Sequence, residues 1–285
     1  MVIQNNIGGF NASRNKGITE GKMRKSLEKL SSGYRINRAG DDAAGLAISE
    51  WMRNQITALD QAMRNVNDGI SMTSTGDGAL MEVHSMLERM KTLAIQSANG
   101  TYTTLARENL DAERLQLMEE IDRIGEMSDF DEIPLFDASK EKPDGSTIFN
   151  PPELKDEITL QIGASAKETL DVPRYYMSSN ALKLDETDFT SLDEANKSVD
   201  IIENAIEAVS DIRAGFGAAQ NHLEHTHNNL SVTSENMTVS ESQIRDTNVA
   251  EEFTLYTKDN IVYQASNSMV AQANSIPGLI LQLLQ

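Results

Sequence analysis

The sequence predicts a mainly α protein: a long, antiparallel, coiled-coil-like helical bundle built from paired N- and C-terminal arms, with a small β-hairpin region in the middle. Three observations carry that expectation. Met52, Ile56, Leu59, Met63, Val66 and Ile70 alternate steps of four and three, and the seam resumes at Leu80, Val83, Leu87 and Met90 and continues through Ala94. That is the a/d heptad of a coiled-coil-like helix. Far along the chain, Leu192, Ala195, Val199, Ile202, Ile206, Val209, Phe216, Leu223 and Leu230 keep the same register, so the two distant halves are expected to pair side by side. Pro134, Pro143, Pro151, Pro152 and Pro173 all fall in one stretch, which confines irregular structure to the middle.

In chain order, Ile3, Ile7 and Phe10, then Met23, Leu27, Leu30 and Tyr34, form apolar stripes with no local partner. The first long helix runs from about Asp41 to Asn99, with Gly69, Gly76 and Gly78 weakening it and residues 73–79 as its softest point. Asn99-Gly100 is a stop signal. A second helix spans about Leu105 to Met127, with Leu110, Leu117, Ile121 and Ile124 on one side and Leu115 and Met118 beside them. Residues 129–175 read as hairpins and loops capping one end of the bundle. Pro143-Asp-Gly145 and Asn150-Pro-Pro152 are turn signals there, and Ile158 to Ile162 alternates like a strand before Gly163. No proline lies between Pro173 and Pro277, so nothing forbids a very long helix along the second seam. Arg213, Gln220 and His227 intrude on that seam as register-setting polar residues. Val249, Phe253, Tyr256, Val262, Met269, Val270 and the apolar tail from Ile276 form the last unpartnered stripes. Left exposed they would be sticky, so they pack on each other or on another copy.

Composition agrees with thin helical layers. Hydrophobic residues make up 39% of the 285, aromatics only 5%, and Trp51 is the single tryptophan. The formal charge of −19 argues against duplex DNA as a main partner. Residues 1–40 are nevertheless basic, with Arg14, Lys16, Lys22, Arg24, Lys25, Lys29, Arg35 and Arg38 against Glu20 and Glu28. Without interleaved aromatics this is a solvated or packing helix face, not a nucleic-acid arm. No run of apolar residues is long enough to span a bilayer, so neither nucleic acid nor membrane is an expected partner. The start lacks the basic and apolar regions of a Sec signal peptide, and the absence of cysteine excludes disulfides and thiolate chemistry.

No reactive constellation emerges. His222, Glu224 and His225 have ligand-like spacing, but His227 points elsewhere and the His-Glu-x-x-His pattern is missing, so a polar helix face is the reading. Gly76-Asp-Gly78 and Gly215-Phe-Gly217 lack the strand–turn–helix setting of nucleotide loops and read as close helix approaches. There is no Gly-x-Ser-x-Gly elbow. Neither an enzyme nor a cofactor is expected.

The ends are more specific. Leu30-Ser-Ser-Gly-Tyr-Arg-Ile-Asn-Arg-Ala-Gly-Asp-Asp-Ala-Ala-Gly-Leu-Ala-Ile-Ser49 and Leu93-Ala-Ile-Gln-Ser-Ala-Asn-Gly100 resemble the N-terminal blocks of bacterial flagellins. Asn228 to Met237, Glu241 to Glu252, Met269 to Asn274 and the closing Leu283-Leu-Gln285 resemble the C-terminal ones. The resemblance covers about 1–128 and 178–285 well and implies a minimal flagellin without variable outer domains. Its implied divisions are an N-terminal arm of an inner filament-core domain (1–41), a rod-domain part with the hairpin region (42–180, hairpins 129–175), a C-terminal rod-domain part (181–246) and a C-terminal inner arm (247–285). Two departures stand out. Phe130-Asp-Glu-Ile-Pro-Leu-Phe136 replaces the family's Phe-Asn-Gly, lysine and two apolar residues, and Leu117 stands where a basic residue is common.

What the resemblance implies about function is assembly. The subunit would polymerise into the extracellular flagellar filament for motility, exported through the flagellum's own type III channel. Its self-assembly residues would be Ile3, Ile7, Phe10, Leu27, Leu30, Arg35, Ile36, Val262, Met269, Leu279, Leu283 and Leu284, with Arg35 and Arg38 setting register between copies. Flagellar cap and hook-junction proteins, a flagellin export chaperone and Toll-like receptor 5 of an animal host are its implied partners. Arg89, Leu93, Gln96 and Glu113 match the receptor-recognised surface; the first three share a helix face by spacing. A hook–filament junction protein and a soluble coiled-coil binding protein are the alternative readings.

Overall fold

The computed structural model describes residues 6–137 and 157–283, without the side chains of 137 and 277–283. The turn signals at 143–145 and 150–152 therefore lie outside the described residues. The elements are α1 (Ile7–Ser32), α2 (Ala43–Ser97), α3 (Thr104–Met127), β1 (Asp129–Phe130), β2 (Ile133–Pro134), β3 (Phe136–Asp137), β4 (Ile158–Gln161), β5 (Thr169–Val172), β6 (Tyr175–Tyr176), α4 (Leu192–Arg245) and α5 (Val249–Leu283). The mainly helical reading with central hairpins is correct. Residues group into two compact units, 1–57 with 235–285 and 58–234. Stretches of α2 and α4 belong to each.

In the unit of residues 58–234, α2 and α4 run antiparallel. Asp60 meets Ser234 at 3.2 Å, Asp77 meets Arg213 at 2.8 Å, and Lys91 meets Glu203 at 2.8 Å. The glycines expected to soften α2 leave it unbroken, because two of them are notches for α4. A Cβ on Gly69 would lie 2.7 Å from Leu160 and 3.2 Å from Leu223, and one on Gly76 would lie 3.3 Å from the Phe216 ring. Both glycines and both knobs are seven residues apart, so each heptad presents one hole to one knob. Phe216 is the hub of this layer, edge-on to Phe136 at 6.2 Å and to Tyr175 at 5.9 Å. Burial against these rings raises the Tyr175 hydroxyl pKa above its ordinary value.

The chain returns from β6 to α4 along α3, in antiparallel register. Asp122 accepts the backbone N–H and hydroxyl of Ser179 at 2.6 and 2.9 Å, Arg114 donates to Thr187 at 3.1 Å, and Asp111 accepts the Phe189 N–H at 3.3 Å. Ser97 at the end of α2 donates to the Phe189 carbonyl at 2.5 Å. Here the structure departs from the apolar side read for α3. Leu115 is exposed, while Arg114 turns inward with Met118, Ile121 and Gly125. Ser191 caps α4, accepting the Glu194 N–H at 3.3 Å, with Asp193 and Glu194 favourably placed in the first turn.

The strands are short. β1 and β2 form a two-residue hairpin whose turn residues, Asp131 and Glu132, both have positive φ (54° and 64°). That is the type I′ geometry for which Asn-Gly is the usual pair. Pro134 faces Asp129 in the pair beyond Phe130 and Ile133, where the ladder exchanges no hydrogen bonds. The next pair resumes with Leu135 N–H donating to Ser128 at 3.0 Å, so the missing proline donor costs nothing. β4 and β5 form a second hairpin, and Asn65 of α2 donates to the Gln161 carbonyl at 3.1 Å. β3 and β6 pair in parallel, a long-range contact no local pattern announces.

In the other unit, α1 and α5 form an antiparallel pair. Asn6 donates to the Ala273 carbonyl at 2.8 Å, the Lys16 ammonium lies 5.6 Å from the Tyr263 ring centre, and Lys29 pairs with Glu252 at 3.6 Å. The very long C-terminal helix allowed by proline spacing is broken between Arg245 and Val249. Asn248 caps α5 through the Ala250 N–H at 3.2 Å, and Thr247 and Arg35 exchange backbone hydrogen bonds with Gly33 and Arg245. Gly33 adopts φ +76° after α1, which only glycine does cheaply.

Candidate self-association surface

The α1–α5 pair puts its large apolar side chains on the outside. The less exposed positions of α1 include Gly9, Ala12, Lys16, Thr19, Met23, Ser26 and Leu30, which alternate steps of three and four. Those of α5 include Glu252, Tyr256, Asp259, Tyr263, Ser266, Val270 and Ala273, again in steps of four and three. Small residues let the backbones approach: a Cβ on Gly9 would lie 3.1 Å from Asn274. Both seams have heptad spacing, yet they mix small and polar residues with a few larger ones, Met23, Leu30, Tyr256, Tyr263 and Val270. Outside them stand Ile7, Phe10, Ile18 and Leu27 on α1, and Val249, Phe253, Leu255, Ile261, Val262, Met269 and Ile276 on α5, with Phe10 72% exposed. Burying one such side chain is worth about 1.5–3 kcal/mol, so this exterior is a large unspent driving force.

The sequence-derived self-assembly residues divide accordingly. Ile7, Phe10, Leu27, Val262 and Met269 face outward, and Leu30 is half-buried on the seam. Ile36 is only 2% exposed, packed so that a Cβ on Gly45 would meet its side chain at 2.8 Å; it braces the connection between α1 and α2 instead of presenting a surface. Ile3 and Leu284 lie outside the described residues, as do the side chains of Leu279 and Leu283. The two arginines assigned to register between copies have partners within the chain. Arg35 donates to the Ile244 carbonyl at 2.5 Å, and Arg38 bonds Glu28 at 2.8 Å. Asp41 accepts the Arg38 backbone N–H at 3.1 Å, which with the Asn37 N–H and nearby lysines keeps its carboxyl pKa below the usual value. Arg245 stacks 4.7 Å from the Tyr34 ring centre while its guanidinium bonds Glu50 at 2.7 Å. The basic N-terminal stretch is thus partly a packing face, as its composition suggested.

The four positions that the sequence resemblance assigns to a receptor surface differ in exposure. Arg89 and Glu113 form an exposed ion pair at 2.7 Å that bridges α2 and α3, and Gln96 donates to the Tyr102 hydroxyl at 2.9 Å. Leu93 is fully buried in the core, so shared spacing did not give it shared exposure. Sequence reasoning missed buried Arg114 and the polar α1–α5 seam. The alternation of three and four through Gly9, Thr19 and Ser26 was the available signal, hidden because only apolar residues were followed. Among the described residues, no group of three His, Cys, Asp or Glu side chains is placed to hold a metal ion, and no helix is long and apolar enough to cross a membrane.

Two family models match the chain: the bacterial flagellin N-terminal helical region over residues 3–141 and the bacterial flagellin C-terminal helical region over residues 199–284. A flagellin of Halalkalibacterium halodurans is 45% identical over 287 residues, covering 100% of both chains. One of Bacillus subtilis is 41% identical over 309 residues, again with 100% of each covered. A flagellar filament core protein of Brachyspira hyodysenteriae is 39% identical over 292 residues and 100% of both chains. The terminal blocks, the paired helical arms and these full-length matches agree, and the chain belongs to the bacterial flagellin family.

Proposed function

We propose that this chain is the structural subunit of a bacterial flagellar filament and that α1 and α5 are its main polymerisation elements. The observation carrying this is the α1–α5 pair, whose buried seam positions are Gly9, Thr19, Ser26 and Glu252 while Phe10, Phe253, Ile261 and Met269 stand outside. Neighbouring copies would cover that exterior, and contacts between unlike surfaces that do not close yield an open helical polymer. The filament then serves motility outside the cell, after export through the flagellar type III channel. Cap and hook-junction proteins and an export chaperone are the partners such a subunit meets, the chaperone shielding the same apolar exterior before assembly.

The exposed Arg89–Glu113 pair, with Gln96 on the same helix, supports a second role as a surface for Toll-like receptor 5. On this reading Leu93 holds α2 in place from below and does not touch the receptor.

Seeded polymerisation tests the first role. Heat-dissociated chain is mixed with short filament fragments, beside a chain lacking residues 1–20 and 270–285, and pellets are viewed by electron microscopy. Long filaments from the full chain alone are the expected result; a chain that stays soluble in both forms would instead be a coiled-coil binding protein. For the second role, Arg89→Ala is expected to weaken receptor capture while Ile18→Ser leaves it unchanged. Equal binding by both variants would remove Arg89 from the surface.

A further inference from the structure

The turn between α2 and α3 holds the chain's only Asn-Gly pair, Asn99-Gly100, and both residues are exposed. Asn99 Oδ1 accepts the Thr101 N–H at 3.3 Å, an Asx-turn that folds the side-chain amide back along the Gly100 peptide. Asn99 Nδ2 and the Gly100 N–H make no hydrogen bond among the described residues. A Cβ at position 100 would find nothing within 4 Å, and glycine carries none, so the approach to that nitrogen is open. The Asn99 backbone carbonyl is the opposite case. It accepts the Tyr102 N–H at 3.3 Å and Nη2 of Arg107 at 3.2 Å. Arg107 forms no ion pair among the described residues and its buried Nε has no partner, so that carbonyl is its one protein acceptor there.

We propose that Asn99-Gly100 is a self-modification site, at which the chain converts its own asparagine amide to a carboxylate with Arg107 as promoter. Hydroxide removes the Gly100 N–H proton, and the charge left behind is shared with the Asn99 carbonyl oxygen, where Arg107 and the Tyr102 N–H already donate. The nitrogen attacks Asn99 Cγ, moving negative charge onto Oδ1, to which the Thr101 N–H donates. A C–N bond forms, the Cγ–Nδ2 bond breaks, Nδ2 takes a proton from water and ammonia leaves. Water then opens the resulting succinimide at either carbonyl, giving aspartate or isoaspartate at position 99. The net change is amide plus water to acid plus ammonia, with no oxidation or reduction. Nucleophile and amide are neighbours in one chain, so no encounter is needed. The new carboxylate gives Arg107 the counter-charge it lacks. Isoaspartate also adds a methylene to the main chain, which pulls the carbonyl away from Tyr102 and Arg107 and loosens the turn beside the Ser97–Phe189 hydrogen bond. The reaction is independent of the filament reading.

The test uses the full-length chain, kept dilute and unassembled, incubated at mildly alkaline pH in buffer and in parallel in concentrated urea. Proteolytic peptides are mapped by mass spectrometry, and isoaspartate is counted with an isoaspartate-specific methyltransferase. Conversion at position 99 is expected to be faster in the folded chain than in urea, because the three donors converge only in the folded turn. Arg107→Gln is expected to slow the folded chain about tenfold, less than a fully aligned oxyanion donor supplies because 3.2 Å is long. The same variant should leave the rate in urea unchanged, and Arg107→Lys, which keeps the charge, should fall in between. Helical circular dichroism checks that each variant is folded. Conversion no faster in the folded chain than in urea would overturn the proposal without recourse to any variant. Equal folded rates for Arg107→Gln and the unaltered chain would overturn it as well, leaving the reaction that of any Asn-Gly peptide.

Discussion

Arg114 offers the sharpest test of how the 58–234 unit is held together. It is 7% exposed, and its Nε lies 2.6 Å from Asp111 while Nη1 reaches Thr187 at 3.1 Å and the Met118 sulfur at 2.9 Å. The guanidinium also sits 5.6 Å from the centre of the Phe189 ring. One side chain thus ties α3 to the return segment just before α4 begins. Arg114→Ala would strand Asp111, whose remaining donor is the Phe189 N–H at 3.3 Å. Breaking a buried ion pair from one side costs about 3–5 kcal/mol. The Asp111 side chain keeps 17% exposure, and water reaching it brings the expected loss to about 2–3 kcal/mol. For a unit of this size that lowers the melting temperature by roughly 5–10 °C. Guanidinium unfolding of the unassembled full chain, followed by far-ultraviolet circular dichroism, measures it, and Trp51 emission reports separately on the other unit. The double variant Asp111→Asn/Arg114→Met is expected to recover part of the loss, because no charge is then left unpaired. A single-variant loss below about 1 kcal/mol, or a double variant no better than Arg114→Ala, would show that the pair behaves as a surface salt bridge and refute the reasoning.

Three further expectations follow from the backbone and the capping groups. Glu132 holds φ 64° without being glycine, so Glu132→Gly should stabilise the unit by about 0.5–1 kcal/mol after the unfolded-state entropy of glycine is subtracted, read from denaturant midpoints. Gly125→Ala should do the opposite, because a Cβ there would run into the Met177 carbonyl oxygen; strain of this kind costs about 1–3 kcal/mol or more, visible in the same titration. The Asp188 carboxyl accepts the Thr190 N–H at 2.7 Å, which holds its pKa below the ordinary value. Its stabilising contribution is therefore complete above the unfolded pKa of about 4 and lost as pH falls through the lower folded value. Asp188→Asn should flatten the acid limb of a stability–pH curve by lowering stability at neutral pH, while changing little once the pH lies below the folded pKa.

Helices were legible in the sequence because their signals are local. The seam from Met52 to Ala94, the Asn-Gly stop and the proline-free second seam placed α2, α3 and the start of α4 within a few residues. What stayed hidden depends on distant partners. Gly76 looks like a weak point until Phe216, 140 residues later, is seen to fill the space. Arg114 looks like a surface charge until Thr187 and Phe189 close over it. The break at Asp246 to Asn248 needs the loop after α1 to satisfy its backbone, and the β3–β6 pairing joins segments separated by nearly forty residues. Leu93 shows the converse: spacing puts it in line with Arg89 and Gln96, but spacing alone does not say how deep a helix sits.

The same period carries opposite energetics in the two helix pairs. Between α2 and α4 the heptad positions are Leu80, Val83, Leu87, Val209, Phe216 and Leu223, all nearly inaccessible to water, so that unit contains its own hydrophobic driving force. Between α1 and α5 the corresponding positions include Gly9, Thr19, Ser26, Glu252 and Ser266 beside Met23, Leu30, Tyr256, Tyr263 and Val270, and only Gly9, Thr19, Ser26 and Glu252 of them are buried. A seam of that kind fixes register and close approach but only half-buries its larger apolar side chains, while the apolar exterior gains only when another copy covers it. The stability of α1 and α5 must then depend on subunit concentration, whereas that of residues 58–234 must not. Hydrogen exchange on dilute subunits and on filaments separates these: amides of α1 and α5 should exchange far faster than those of α3 in the subunit and become protected in the filament. Equal protection of α1 and α3 in dilute subunits would mean that the polar seam is sufficient by itself, and that the exterior is not what drives assembly.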